Sequence, residues 1–122
     1  MTRKISLPVM AALPPALLKE VHEHDLQLAV WRYAEMQGWR CHYTARSAFR
    51  LQDGSYRGTA TPGWPDVIAI RAGVMWAIEL KSEVGRVRPE QREWMALLAD
   101  VPGVNTAIWR PRNAAEAMEA LK

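Results

Sequence analysis

The chain has 122 residues, enough for one domain with its own core and short for two, and its 49% hydrophobic and 24% charged residues exclude a disordered or low-complexity chain. One cysteine, Cys41, excludes an internal disulfide framework and a Cys-rich zinc cluster. The net charge is +3 and 12 of the 16 basic residues are Arg, whose planar fork suits phosphate, so nucleic acid stands as a candidate partner beside the ordinary reading of a solvated surface.

Residues 1–18 open on Met-Thr-Arg-Lys and continue into an apolar run broken by Pro8, Pro14 and Pro15. That run is neither the continuous helix-former of a secretory signal nor long enough to span a membrane. It is read as an N-terminal extension to a single domain at 19–122, and the chain as soluble and cytoplasmic. From 15 to 37 the pattern is helical, with Pro15 near the start and Gly38 as the stop. Leu26, Val30 and Tyr33 share one face, and Glu23 and Gln27 project onto it. A carboxylate on a core-facing stripe is costly unless something requires it there.

A short strand is expected at 39–43. The polar stretch that follows, up to Gly63, is either a hairpin around Asp53-Gly54 or an irregular loop. The basic excess is concentrated between 39 and 71, where Arg46, Arg50 and Arg57 are candidates for contact with nucleic acid. Strands at 67–70 and 74–81 flank a turn at Ala72-Gly73 and should form a hairpin. A basic connector with Arg86 and Arg88 leads to a helix at 89–99 with Trp94, Leu97 and Leu98 inward. A strand at 104–109 follows, and Asn113 with Glu116 has the spacing of a capping box opening a last helix to Leu121. The order α-β-β-β-α-β-α places a helical crossover between the strands ending at Lys81 and Trp109. Those two strands should be parallel, in a mixed sheet with helices on both faces.

The hairpin can be carried further by register. A two-residue turn at Ala72 and Gly73 sets Arg71 against Val74 and brings Asp66 opposite Glu79, with Lys81 on the same face as Glu79. Two opposed carboxylates need positive charge between them. Lys81 supplies it as a buried ion pair, or a divalent metal does so through carboxylate oxygens, a main-chain carbonyl and water. In the second case Lys81 orients or helps to activate an attacking water while the metal polarises a phosphoryl group. Glu-x-Lys alone is common; joined to Pro-Asp in this register and to a following crossover helix it is far rarer.

Gly63-Trp64-Pro65-Asp66, Glu79-Leu80-Lys81 and Gln91 on the next helix together resemble the VRR-NUC domain, the virus-type replication-repair branch of the PD-(D/E)xK nucleases. Glu23-His24-Asp25-Leu26-Gln27 is similar to the Glu-x-x-x-Gln pattern on the first helix of that family, and the likeness runs from about Glu23 to the C-terminus. The resemblance implies a restriction-endonuclease-like αβββαβ core with a mixed central sheet flanked by helices. It implies Asp66, Glu79 and the main-chain carbonyl of Leu80 as metal ligands, Lys81 as the catalytic lysine, Glu23 completing the acidic cluster and Gln91 supporting the site. It further implies phosphodiester hydrolysis dependent on magnesium, with manganese as a substitute and no nucleotide cofactor. Small standalone members look like phage-encoded homodimers acting on branched or four-way junction DNA inside a bacterial cell. The segment 44–61 and the N-terminal extension have no assigned counterpart.

His22 and His24 point to different faces of a helix and read as surface residues rather than metal ligands. Cys41 reads as a small apolar strand residue. Trp76, Trp94 and Trp109 fall where core packing is the default, whereas Trp64, two residues before Asp66, either stacks on a base or packs the turn. Arg86 and Arg88 either contact phosphate or belong to a solvated loop. Two rivals to the enzyme keep the same fold: a non-catalytic nucleic-acid-binding module, and a nuclease subunit dependent on a partner.

Overall fold

A computed structural model describes residues 5–44, 48–50, 52–53, 56–58 and 61–122. The main sheet has four strands, β1 (Arg40–Tyr43), β4 (Val67–Arg71), β5 (Val74–Leu80) and β6 (Val104–Trp109), in the order β1-β4-β5-β6. The first two pairings are antiparallel and β5 with β6 is parallel, as the crossover through the helix Pro89–Ala99 requires. Between β1 and β4 a separate two-stranded sheet pairs β2 (Ala48–Arg50) with β3 (Tyr56–Gly58) antiparallel, so of the two expectations for this stretch the hairpin is the one found. Arg50 and Arg57 are placed on β2 and β3 by the pairs Arg50↔Tyr56 and Phe49↔Arg57, and Arg46 lies outside the described residues.

The β4–β5 hairpin has the register read from its turn, Arg71↔Val74 through Val67↔Ile78. Ala72 (φ 49°) and Gly73 (φ 80°) both take positive φ, the conformation of a type I′ turn, whose twist matches that of the strands it joins.

Four helices flank the sheet: α1 (Leu7–Ala11), α2 (Glu23–Met36), α3 (Pro89–Ala99) and α4 (Ala114–Leu121). α1, α2 and α4 share one core with alternate residues of the strands: Leu7, Met10, Leu26, Val30 and Leu121 are buried together with Val67, Ala69, Ile78, Leu80 and Trp109. Each such large side chain contributes about 1.5–3 kcal/mol by leaving water. α1 lies within the first eighteen residues, and its Leu7 and Met10 are 1% and 0% exposed. On β5, Ala77 alternates with Ile78 and so faces the other side of the sheet, where α3 contacts β5 and β6 and buries Met95.

Three local expectations are corrected. The helix expected over 15–37 is two elements, a 3-10 helix Pro15–Glu20 and α2 from Glu23. No residue of the 3-10 helix is buried, whereas Val21, extended (ψ 119°) at the break before α2, is 4% exposed and joins the core. On α3, Leu97 is 62% exposed and Met95 takes the inward place, with Trp94 and Leu98 half-buried. The Asn113/Glu116 pair is no capping box. Asn113 Oδ1 accepts the Arg110 N–H at 2.8 Å, and Glu116 Oε2 accepts the Trp109 indole N–H at 3.0 Å, because a 3-10 turn (Pro111–Asn113) precedes α4.

The six tryptophans go into fixed contacts. Trp76 packs on Trp109 with ring centroids 5.6 Å apart, Trp64 meets Trp94 edge to face at 5.1 Å, and Trp31 stacks on Tyr43 at 6.2 Å. The Trp39 indole donates to Leu121 O at 2.8 Å and lies under the Arg71 guanidinium, 4.3 Å from the ring centroid. Arg71 also donates to Gln37 O and Lys122 O, tying the hairpin to the ends of α2 and α4. Among the described residues no helix is long and apolar enough to cross a membrane.

Candidate active site

The buried polar side chains of the chain's described residues are Gln27, Asp66, Glu79, Lys81 and Gln91, between 1% and 8% exposed. Sequence reading singled out all five, and each comes from α2, β5, α3 or the residues just before β4 and just after β5. Burying this many polar groups is costly unless their partners are arranged for them.

Asp66 stands where the sheet splits. Its carbonyl oxygen still accepts the Thr44 N–H at 2.8 Å, continuing the pairing of β1 with β4. Toward β5 the next pair in register is Asp66 with Glu79, and here the ladder ends at Val67↔Ile78. Asp66 Oδ2 instead accepts the buried Leu80 N–H at 3.0 Å. That nitrogen is the link between Glu79 and Leu80, so the carboxylate of Asp66 is held at the root of the Glu79-Leu80-Lys81 segment. The next amide, Lys81 N–H, donates to Trp109 O at 3.0 Å, which keeps the segment aligned along β6 past the end of β5.

Glu79 is 1% exposed and Lys81 8% exposed. Lys81 Nζ lies 3.8 Å from Oε1 of Glu23, the first residue of α2, whose side chain is 44% exposed. At that distance and exposure the pair adds little to stability. Its consequence is placement: a carboxylate from the helix reaches the ammonium of the strand segment. Glu23 and Asp66 line one cleft of about 210 Å³ with Gln27, Tyr43 and Thr44.

Gln91 sits in the first turn of α3 and is 1% exposed. Its Oε1 accepts the Arg88 N–H at 2.8 Å, capping the helix, while its buried Nε2 has no hydrogen-bond partner among the described residues. The Gly63-Trp64-Pro65-Asp66 run docks on this same turn. A Cβ on Gly63 would come within 2.5 Å of Glu90 O and 3.0 Å of Gln91 N, and Trp94 donates to Pro62 O at 3.1 Å. Only glycine allows that approach, and the approach is what carries Asp66 to the sheet. The contact of Trp64 with Trp94 belongs to this docking.

Arg86 and Arg88 are exposed on the connector between Lys81 and α3. Sequence reading missed what holds that connector. Arg110 Nη1 donates to Ser82 O at 2.6 Å, Gly85 O at 2.8 Å and Glu83 O at 3.3 Å, and Glu83 Oε1 accepts the Arg112 N–H at 2.8 Å. An Arg before a proline at a strand end carries no local signal of this, because its acceptors lie 25 to 28 residues away. Tyr43 and Thr44 were also missed as cleft residues. His22, His24 and His42 are exposed, as expected for His22 and His24.

The carboxylates of Glu23 and Asp66 on the cleft and of buried Glu79 would offer a hard cation oxygen donors, without sulfur or imidazole. Among the described residues no group of three or more His, Cys, Asp or Glu gathers as a ready cage. Two carboxylates with a main-chain oxygen remain sufficient for magnesium, which keeps most of its waters. Comparisons of the chain with protein-family models, curated proteins and solved structures find no match in any of the three.

Proposed function

We propose that the chain is a metal-dependent nuclease of the PD-(D/E)xK type, with a restriction-endonuclease-like core of the VRR-NUC kind, that hydrolyses DNA phosphodiester bonds at branched or four-way structures. The observation that carries this reading is the Asp66 carboxylate held on the Leu80 amide, within a segment whose neighbours are Glu79 and Lys81. Among the described residues Lys81 pairs with Glu23, at 3.8 Å.

Asp66, Glu79 and the carbonyl of Leu80 would hold magnesium or manganese, which supplies the positive charge that polarises a phosphoryl group. The chain's own groups do the rest. Lys81, nearly excluded from solvent, keeps an ammonium where negative charge develops on the phosphoryl oxygens, and it orients the attacking water. Glu23 across the cleft fixes the position of that ammonium. Gln91 keeps the start of α3 against the Gly63–Asp66 approach, and Arg86 and Arg88 present exposed guanidinium groups to the backbone of the nucleic acid. A homodimer would present two such sites to a branched substrate.

The test uses labelled linear duplex, single-stranded and four-way junction DNA, each with and without magnesium. Magnesium-dependent cleavage that favours the junction is expected, and Lys81→Ala should lower its rate by about 10²–10³-fold. Absence of cleavage on every substrate removes the standalone enzyme. Retention of DNA binding would then leave a binding module, and activity restored by a cell extract would leave a partner-dependent subunit.

A further inference from the structure

Tyr43 ends β1 with its ring stacked on Trp31, and its hydroxyl donates to Gln27 Oε1 at 2.7 Å. A primary amide has one accepting end and one donating end. With the oxygen taken by Tyr43, the NH₂ of Gln27 is turned the other way. Gln27 is 7% exposed and lines the cleft with Glu23, Thr44 and Asp66, and its Nε2 makes no hydrogen bond with the described residues. Thr44 adds a second donor to the same cleft. Its N–H is spent on Asp66 O at 2.8 Å, while its Oγ1 is buried with no hydrogen-bond partner among the described residues. Two neutral donors thus share a cleft with two carboxylates, and one of them, the Thr44 hydroxyl, is buried without an acceptor among the described residues. A buried hydroxyl left unmatched costs about 1–3 kcal/mol, so its retention beside the Gln27 amide calls for an acceptor that enters from outside. Because the carboxylates already supply negative charge, neutral donors are suited to one oxygen of a phosphodiester whose charge is balanced by a cation and Lys81. The volume, about 210 Å³, admits such a group with several waters.

We propose that Tyr43 is a positioning residue that turns the Gln27 amide into the cleft, where Gln27 Nε2 and the Thr44 hydroxyl hold one oxygen of a phosphodiester beside Asp66. This rests on the nuclease reading for the identity of the ligand. Tyr43→Phe keeps the ring on Trp31 and removes the hydroxyl alone; Thr44→Val keeps the shape and removes the donor.

The experiment titrates the dinucleotide d(TpT), with calcium present, into ¹⁵N-labelled protein and follows the side-chain amide pair of Gln27, assigned by its loss in Gln27→Met. In the wild type that pair should shift on titration. In Tyr43→Phe the response should fall by more than half, and in Thr44→Val d(TpT) binding should weaken by about fivefold, with both melting temperatures close to wild type. The same Tyr43→Phe protein should show a raised KM for DNA. A Gln27 amide that ignores d(TpT), or that responds equally in Tyr43→Phe, overturns the proposal even where the wild type cleaves DNA. A Gln27 amide that responds as described in a protein that cleaves no DNA sustains the proposal and retires the nuclease.

Discussion

Asp66 Oδ2 accepts the buried main-chain N–H of Leu80 at 3.0 Å, so a single carboxylate closes the split in the sheet and belongs to the candidate site. The two roles separate by substitution. Asp66→Asn keeps an oxygen for Leu80 N–H and should unfold near the wild-type urea midpoint, yet lose magnesium-dependent cleavage. Asp66→Ala orphans the amide and should also lose about 1–3 kcal/mol of stability. Equal stability losses in the two variants would show that the hydrogen bond is not what Asp66 contributes to folding.

Gly63 and Gly73 both hold positive φ, 85° and 80°, but differ in surroundings. A Cβ at Gly73 meets nothing within 4 Å, whereas one at Gly63 meets the α3 backbone at 2.5 Å. Gly73→Ala should therefore cost only the backbone term, about 1–2 kcal/mol. Gly63→Ala adds an overpacking term and should cost about 3 kcal/mol or more. Chemical denaturation of both variants checks the difference, and matching losses would contradict the close approach to Glu90.

Arg110 pins the loop after Lys81 through carbonyls of Ser82, Glu83 and Gly85. Arg110→Met should free that loop and expose the bond between Arg86 and Val87, whose valine is 9% exposed in the folded chain. Trypsin should then cut there at least about tenfold faster, since cleavage follows the population of the open loop. An unchanged rate, read by mass spectrometry under native conditions, would mean the loop is held by something else.

Burial, with a smaller contribution from nearby Glu35, pushes the Cys41 thiol up to about 11 from 9.0. The folded state therefore resists forming the thiolate. Its stability contribution is complete below pH 9 and is lost as pH rises toward 11, because the unfolded chain releases the proton first. Alkylation by iodoacetamide at pH 8 should be much slower in the folded protein than in urea, and its rate should climb through pH 11 rather than pH 9. A folded-state rate profile centred near 9 would contradict the burial.

Some of this was legible because the forces are local. The β4–β5 register follows from two residues able to hold positive φ at Ala72-Gly73, and the bounds of α3 and β6 follow from Pro89, Val101-Pro102-Gly103 and the apolar runs beside them. The inward placing of Gln27, Glu79 and Lys81 was legible because these polar residues stood on stripes otherwise apolar. Asp66 and Gln91 are also buried, but no apolar stripe marked them: Asp66 was placed by the hairpin register and Gln91 by the resemblance alone. Leu97 was misplaced because helical periodicity allows a face about as wide as the one that Met95 and Gln91 occupy, and only the packing partner selects within it.

By itself the sequence determined the hairpin, the parallel crossover and the inward placing of Gln27, Glu79 and Lys81, since turn geometry, helical periodicity and strand alternation act over a few residues. Tertiary structure decided how those residues are used. It broke the first long helix before α2, with Val21 buried at the break, and gave the Leu80 amide to Asp66 where the ladder opens. It also set Glu23 beside Lys81 and turned the Gln27 amide with Tyr43. Each of these is a contact between segments whose meeting is set by the packing of the whole core, which no local pattern encodes.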